Sequence, residues 1–104
     1  MLFSAVATER DGVATLSVVG ECDLATVPRF RNEIVRASRS CASLVIDLSG
    51  LEFIDSIGLG VLIGARRRVD NLVVVCPSGR VRDVLAATSV DRILDIRDAD
   101  DVVT

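Results

Sequence analysis

The chain of 104 residues contains no histidine, lysine, tryptophan or tyrosine. Histidine is the usual carrier of protons near neutral pH, so its absence excludes Ser-His-Asp and Cys-His catalysis built within this chain. It also removes the commonest nitrogen ligand of zinc, and Cys22, Cys41 and Cys76 lie too far apart for a CxxC pair. Without lysine there is neither a Walker-type phosphate loop nor a Schiff base. No metal site and no cofactor are therefore expected. Charge of one sign is scarce too. The net charge is −3, and the longest like-charged block is Arg66-Arg67-Arg68. Direct nucleic-acid binding through a basic footprint is not expected, nor is a disordered acidic tail. The longest apolar stretch, near Leu59–Ala65, falls far short of the ~20 residues that span a bilayer, so no membrane insertion is expected. An odd number of cysteines and the lack of a charged-then-apolar leader point to a reduced, cytoplasmic protein.

Half of the residues are apolar, and the length suits one domain over residues 1–104, since single domains cluster at about 100–150 residues. Two β-prone runs, Leu2–Thr8 and Val13–Val19, flank Glu9-Arg10-Asp11-Gly12, and Asp-Gly there predicts a hairpin. Pro28 fits only a first helical turn, so a helix is expected from near Thr26, with Val27, Phe30, Ile34 and Ala37 on one side. Leu44–Leu48 reads as a central strand and residues 49–55 as a loop that carries apolar residues inward. A second helix is expected from about Ser56 to Val69, a strand over Leu72–Val75, and a third helix capped by Ser78 and ending near Thr88. A last strand over Arg92–Ile96 and a short tail over Asp98–Thr104 complete the reading. The order is ββαβαβαβ. Strands alternating with helices imply an α/β fold with a mixed, mostly parallel sheet and helices packed against it.

In such sheets, chemistry gathers at the loops beyond the carboxyl ends of strands. Three are expected at one end: Gly20–Asp23, Ser49–Ser56 and Cys76–Gly79. Ser56 falls at or one residue inside a helix start. It reads either as an N-cap or as a hydroxyl offered to another protein's active site. A phosphate there would add about −1.5 to −2 charge beside Asp55, Glu52 and Asp47. The glycines of Gly58-x-Gly60-x-x-x-Gly64 miss the dinucleotide spacing by one residue, and close packing of the helix is the expected use. Asp23, Asp47 and Asp55 would converge if all three loops met, although catalysis by them is the minor reading. The Arg66–Arg68 run reads as a solvated face or a contact for an acidic partner. Cys22 and Cys76 read as buried thiols, with a redox switch as the alternative.

The stretch Val45-Ile46-Asp47-Leu48-Ser49-Gly50-Leu51-Glu52-Phe53-Ile54-Asp55-Ser56-Ile57-Gly58-Leu59-Gly60-Val61-Leu62 resembles the signature of STAS domains of the anti-sigma factor antagonist type. Gly20–Thr26, Val81–Leu85 and Asp91–Leu94 add weaker matches, so the resemblance covers nearly the whole chain. It implies a non-enzyme that binds an anti-sigma factor with serine kinase activity and thereby frees a sigma factor. The kinase would phosphorylate Ser56, the modified form would release its partner, and a PP2C-type phosphatase would reset it. Asp23, Thr26, Asp55, Ser56, Ile57, Gly58 and Gly60 map onto the partner-facing end. Two departures stand out. Ile57 replaces a small residue, and the short C-terminus implies a shortened last helix, leaving one sheet face exposed or covered in a homodimer. The alternative that keeps the fold is an accessory subunit of a lipid or anion transporter, binding a transport ATPase or membrane partner; a small-ligand or nucleotide sensor is a third reading.

Overall fold

The computed structural model describes residues 3–99. β1 (Ser4–Arg10) and β2 (Val13–Cys22) form the antiparallel hairpin. Asp11 and Gly12 both have positive φ (53° and 80°), the two-residue turn whose twist matches that of paired strands. Glu9 and Arg10 pair with Ala14 and Val13, so β1 sits two residues later than the apolar run alone suggests. α1 (Val27–Ser40) follows, with Pro28 in its first turn and Val27, Phe30, Ile34 and Ala37 buried, as the spacing predicts.

β3 (Ser43–Ile54) is the main correction to the sequence reading. The expected loop at 49–55 is a continuation of the strand. Its register against β2 slips twice, between Ser17 and Val19 and between Gly20 and Glu21, and each slip leaves one extra residue on β3. A bulge changes which face the following side chains occupy. Hence Leu44, Ile46 and Leu48 are buried at twofold spacing, then Leu51 and Ile54 at threefold spacing. Gly50 lies within this irregular stretch, where a Cβ would stand 2.8 Å from Val19 Cγ2.

α2 (Ser56–Gly64) ends sooner than expected and tightens into a 3-10 turn over Ala65–Arg67, a common way for a last turn to satisfy its carbonyls. β4 (Asn71–Val75) follows. α3 (Arg80–Ala87) is preceded by Gly79 at φ 149°, which removes Ser78 from the capping position. A 3-10 turn at Val90–Arg92 takes the place of the start of the expected last strand, so β5 is only Asp95–Arg97. Residues 100–104, on which most of the expected short C-terminal helix falls, lie outside the described residues.

The strand order is β1-β2-β3-β4-β5, parallel from β2 onward. Sequential parallel neighbours joined by right-handed crossovers place their helices on one face. Buried residues of β2, β3 and β4, among them Leu16, Ile46, Leu48 and Val74, form a single apolar cluster with those of α1, α2 and α3, while Val75 is buried outside it. On the opposite face Thr15, Ser17, Val45, Asp47 and Val73 are half-buried, and Val6, Val13 and Val19 are exposed.

Candidate functional site

The long β3 decides where the loops meet. Cys22, the last residue of β2, pairs with Ile54, the last of β3, so Asp23 and Asp55 leave the sheet side by side. The Asp55 N–H donates to the Cys22 carbonyl at 3.2 Å. β4 ends at Val75, level with Asp47, seven residues before the end of β3. The Cys76–Gly79 loop therefore runs along the second half of β3, beside Leu48, Ser49, Leu51 and Glu52, and does not join the tip. Asp47 is separated from Asp23 and Asp55 for the same reason. Its carboxylate accepts the Ser49 N–H, and its field acts on Cys76. The expected three-carboxylate convergence reduces to Asp23 and Asp55.

Asp55 caps α2. Its backbone is extended (φ −105°, ψ −176°), and Oδ1 accepts the N–H groups of Ile57 at 3.1 Å and Gly58 at 3.0 Å. Its carbonyl accepts the Leu59 N–H. Ser56 is thus the first helical residue and not the cap. It is exposed, and no hydrogen bond ties its hydroxyl to another described residue. Two amides that an anion at this helix start would seek are already satisfied by Asp55.

Asp23 and Thr26 make a second knot. Asp23 Oδ1 accepts the Ala25 and Thr26 N–H groups at 3.0 and 3.2 Å. The Thr26 hydroxyl donates to the Glu21 carbonyl at 2.7 Å and accepts the Asp23 N–H at 3.0 Å. Both side chains are half-buried and fix the β2–α1 turn. Gly58 is buried where the two knots touch: a Cβ there would stand 2.8 Å from both Cys22 Sγ and Ile54 Cγ1. Close packing explains Gly58 alone. Gly60 and Gly64 face open space, since a Cβ on either meets nothing within 4 Å.

Cys22 reports the electrostatics of this corner. Burial, then the Asp55 and Asp23 carboxylates, push its thiol from an ordinary 9.0 up to about 12. Burial is also the largest cause raising Cys76. All three cysteines are buried and unpaired. A redox switch needs an accessible, easily ionised thiol, and these surroundings disfavour both.

Three apolar side chains stand out at the tip: Leu24 is 72% exposed, Phe53 44% and Ile57 41%. They come from the β2–α1 turn, the end of β3 and the start of α2, the same segments that carry Asp23, Asp55 and Ser56. Ile57 was legible in the sequence as an apolar residue after the serine. Leu24 and Phe53 were not, because Leu24 adjoins a capping motif and Phe53 reads as an inward residue until the bulges of β3 are known. The exposure of all three at one end, around the Asp23 and Asp55 turns, makes them candidates for contact with a protein partner. Among the described residues no group of His, Cys, Asp or Glu could hold a metal ion, and no helix is long and apolar enough to cross a membrane.

A family model of the STAS domain matches residues 4–101. The anti-sigma-F factor antagonist RsfB of Mycobacterium tuberculosis is 36% identical over 66 residues, which make up 62% of this chain and 54% of that protein. The match therefore spans about half the length of that relative. The anti-sigma-B factor antagonist of Listeria monocytogenes is 32% identical over 88 residues, 80% of this chain and 77% of that one. In structure, an anti-sigma factor antagonist from Mycobacterium paratuberculosis superposes with a TM-score of 0.87 at 30% identity, over 96% of this chain and 90% of that chain.

Proposed function

The chain belongs to the STAS domain family, and from that membership we propose that it is an anti-sigma factor antagonist whose docking is controlled at Ser56. Relatives of this name share the fold and about a third of the aligned sequence. The observation that carries the reading is the division of labour at the start of α2. Asp55 supplies the cap, so the Ser56 hydroxyl is left exposed and uncommitted.

In this reading the unmodified tip binds an anti-sigma factor that is also a serine kinase. Leu24, Phe53 and Ile57 supply apolar contact, while Asp23 and Asp55 hold the two turns in shape and offer negative charge to a basic group on the partner. The kinase transfers a phosphoryl group from ATP to Ser56 Oγ, with loss of the hydroxyl proton and release of ADP. The product gains about −1.5 to −2 charge. Its nearest backbone donors are occupied by Asp55, so the new charge is not absorbed into the helix cap. It stays at the contact surface beside two carboxylates, and a partner fitted to a neutral hydroxyl must bury an unpaired dianion or leave. A PP2C-type phosphatase hydrolyses the ester and restores docking. All of this takes place in the cytoplasm, between proteins, with no bound cofactor on this chain.

The test is a pair of substitutions measured against the kinase that copurifies with the chain. Ser56→Ala is expected to bind as the native protein does and to take no phosphate in intact-mass analysis. Ser56→Asp is expected to bind at least tenfold more weakly. Phosphate on another residue, or equal binding of both variants, rejects Ser56 as the switch.

A further inference from the structure

A second surface begins where the tip ends. A groove of about 440 Å³ runs between α1 and α2 and starts at Ile57, next to Ser56. Gly60 and Gly64 give it depth, because side chains are missing there and the space they would fill is open. At its far end, and along α1, stand Arg31, Arg67 and Arg68. All three are exposed, and none of their guanidinium groups makes an ion pair or hydrogen bond with another described residue. Arg36 pairs with Glu33, Arg82 with Asp98 and Arg97 with Asp95, while Arg39, Arg66, Arg80 and Arg92 have no side-chain ion pair or hydrogen bond among the described residues either; what distinguishes Arg31, Arg67 and Arg68 is that they line one groove together. The chain as a whole is acidic, at −3, so three idle guanidinium groups around one groove are a local reversal of its charge. Arginine serves this purpose well, since its planar fork holds carboxylates in two-point contact.

We propose that the α1–α2 groove docks an acidic amphipathic helix of the binding partner, with apolar side chains over Gly60 and Gly64 and carboxylates on Arg31, Arg67 and Arg68. The assignment to the same partner rests on the switch reading above. The groove would then supply contact that does not change when Ser56 is modified. It holds the partner against the domain while the serine is presented, and its opposite rim charge makes encounter faster at low salt. Helix-in-groove recognition of this kind reads apolar anchors at three- and four-residue spacing.

The test uses the full chain and synthetic peptides, and needs neither a kinase nor phosphate on Ser56. The probe is a helix of about 12 residues, long enough to span α2 and the following turn, with leucines at three- and four-residue spacing and glutamates elsewhere. A matched peptide carries lysine in place of every glutamate. Amide resonances are followed by nitrogen–proton correlation spectra. The glutamate peptide is expected to shift Gly60, Val61 and Gly64, and the lysine peptide is not. Arg67→Glu combined with Arg68→Glu is expected to weaken the glutamate peptide at least tenfold. These side chains are exposed and unpaired, so the variant should keep its dispersed spectrum. Gly60→Leu, which fills the open floor, is a second variant expected to weaken the same peptide at least tenfold. Silence at Gly60 and Gly64, equal shifts by both peptides, or unchanged binding by both variants overturns the groove proposal. Each of these results leaves the Ser56 assay standing, so the two readings fail separately.

Discussion

At the scale of single residues, Asp55 and Ser56 divide two tasks that one side chain would otherwise combine. An N-cap carboxylate satisfies helix amides that lack partners, and losing it costs about 0.5–2 kcal/mol. Asp55→Ala is therefore expected to lower the stability of the domain by about 1 kcal/mol in urea titration. Asp55→Asn keeps an acceptor in the same place and is expected to stay within a few tenths of a kcal/mol, since Asn and Asp cap about equally well. A loss as large for Asn as for Ala would show that the charge, and not the hydrogen bonds, matters. Ser56 bears no such structural duty. An acidic group at the first helical position gains about 0.3–1 kcal/mol from the helix dipole and loses part of it to repulsion by the Asp55 carboxylate. Ser56→Asp is thus expected to change stability by no more than about 0.5 kcal/mol. Thermal melts that match the native protein would establish that any lost docking is electrostatic and not a consequence of unfolding.

At the scale of elements, the strongest feature is the β3 strand that stays paired while its apolar spacing changes from two to three. The sequence reading takes the short β-branched run Leu44–Leu48 as the whole strand and residues 49–55 as a loop. Leu51 and Ile54 are nonetheless buried on the core side, because two bulges absorb the extra residues. Bulges have no strong local code, so they are hard to foresee, whereas the Asp11-Gly12 turn and the α1 stripe rest on local rules and were foreseen. The same gap hid the exposure of Phe53 and the separation of Asp47 from the tip. The order of elements was legible, and so was the position of Ser56 within one residue. The capping residue was not, because Asp55 and Ser56 are both good caps and only tertiary pairing with Cys22 decides between them. The glycines of α2 offer a sharp contrast. Gly58→Ala forces a Cβ against Cys22 Sγ and Ile54 Cγ1, and overpacking of this kind costs about 1–3 kcal/mol. Gly60→Ala meets open space in a helix, where Ala is favoured by about 0.5–1 kcal/mol. Opposite shifts of the urea midpoint are expected. Similar shifts for both would mean that the junction between α2 and the end of β2 is looser than its geometry indicates.

At the scale of the whole molecule, three thiols sit in different parts of one core: Cys22 at the tip, Cys41 between α1 and β3, and Cys76 beyond β4. Each is buried, so a thiol reagent must wait for the structure to open. At pH 8 the folded chain is expected to react slowly with Ellman's reagent, and the unfolded chain to release three equivalents at once. If Cys22 reacts quickly while Cys41 and Cys76 stay protected, the tip opens without the rest, and the junction is a local unit of motion. The pH dependence follows from the same burial. The Cys22 thiol is held near 12 in the folded state against an ordinary 9.0, so the folded form binds the proton more tightly than the unfolded form. Its contribution is complete below about pH 9 and is lost as pH rises from there towards 12. Stability is therefore expected to fall between pH 9 and 11, and Cys22→Ala to make that decline shallower. The comparison isolates the corner where Asp23, Asp55 and Gly58 meet. Cys22→Ala removes the group that titrates there while the two carboxylates remain, so an unchanged slope would place the alkaline transition elsewhere in the fold.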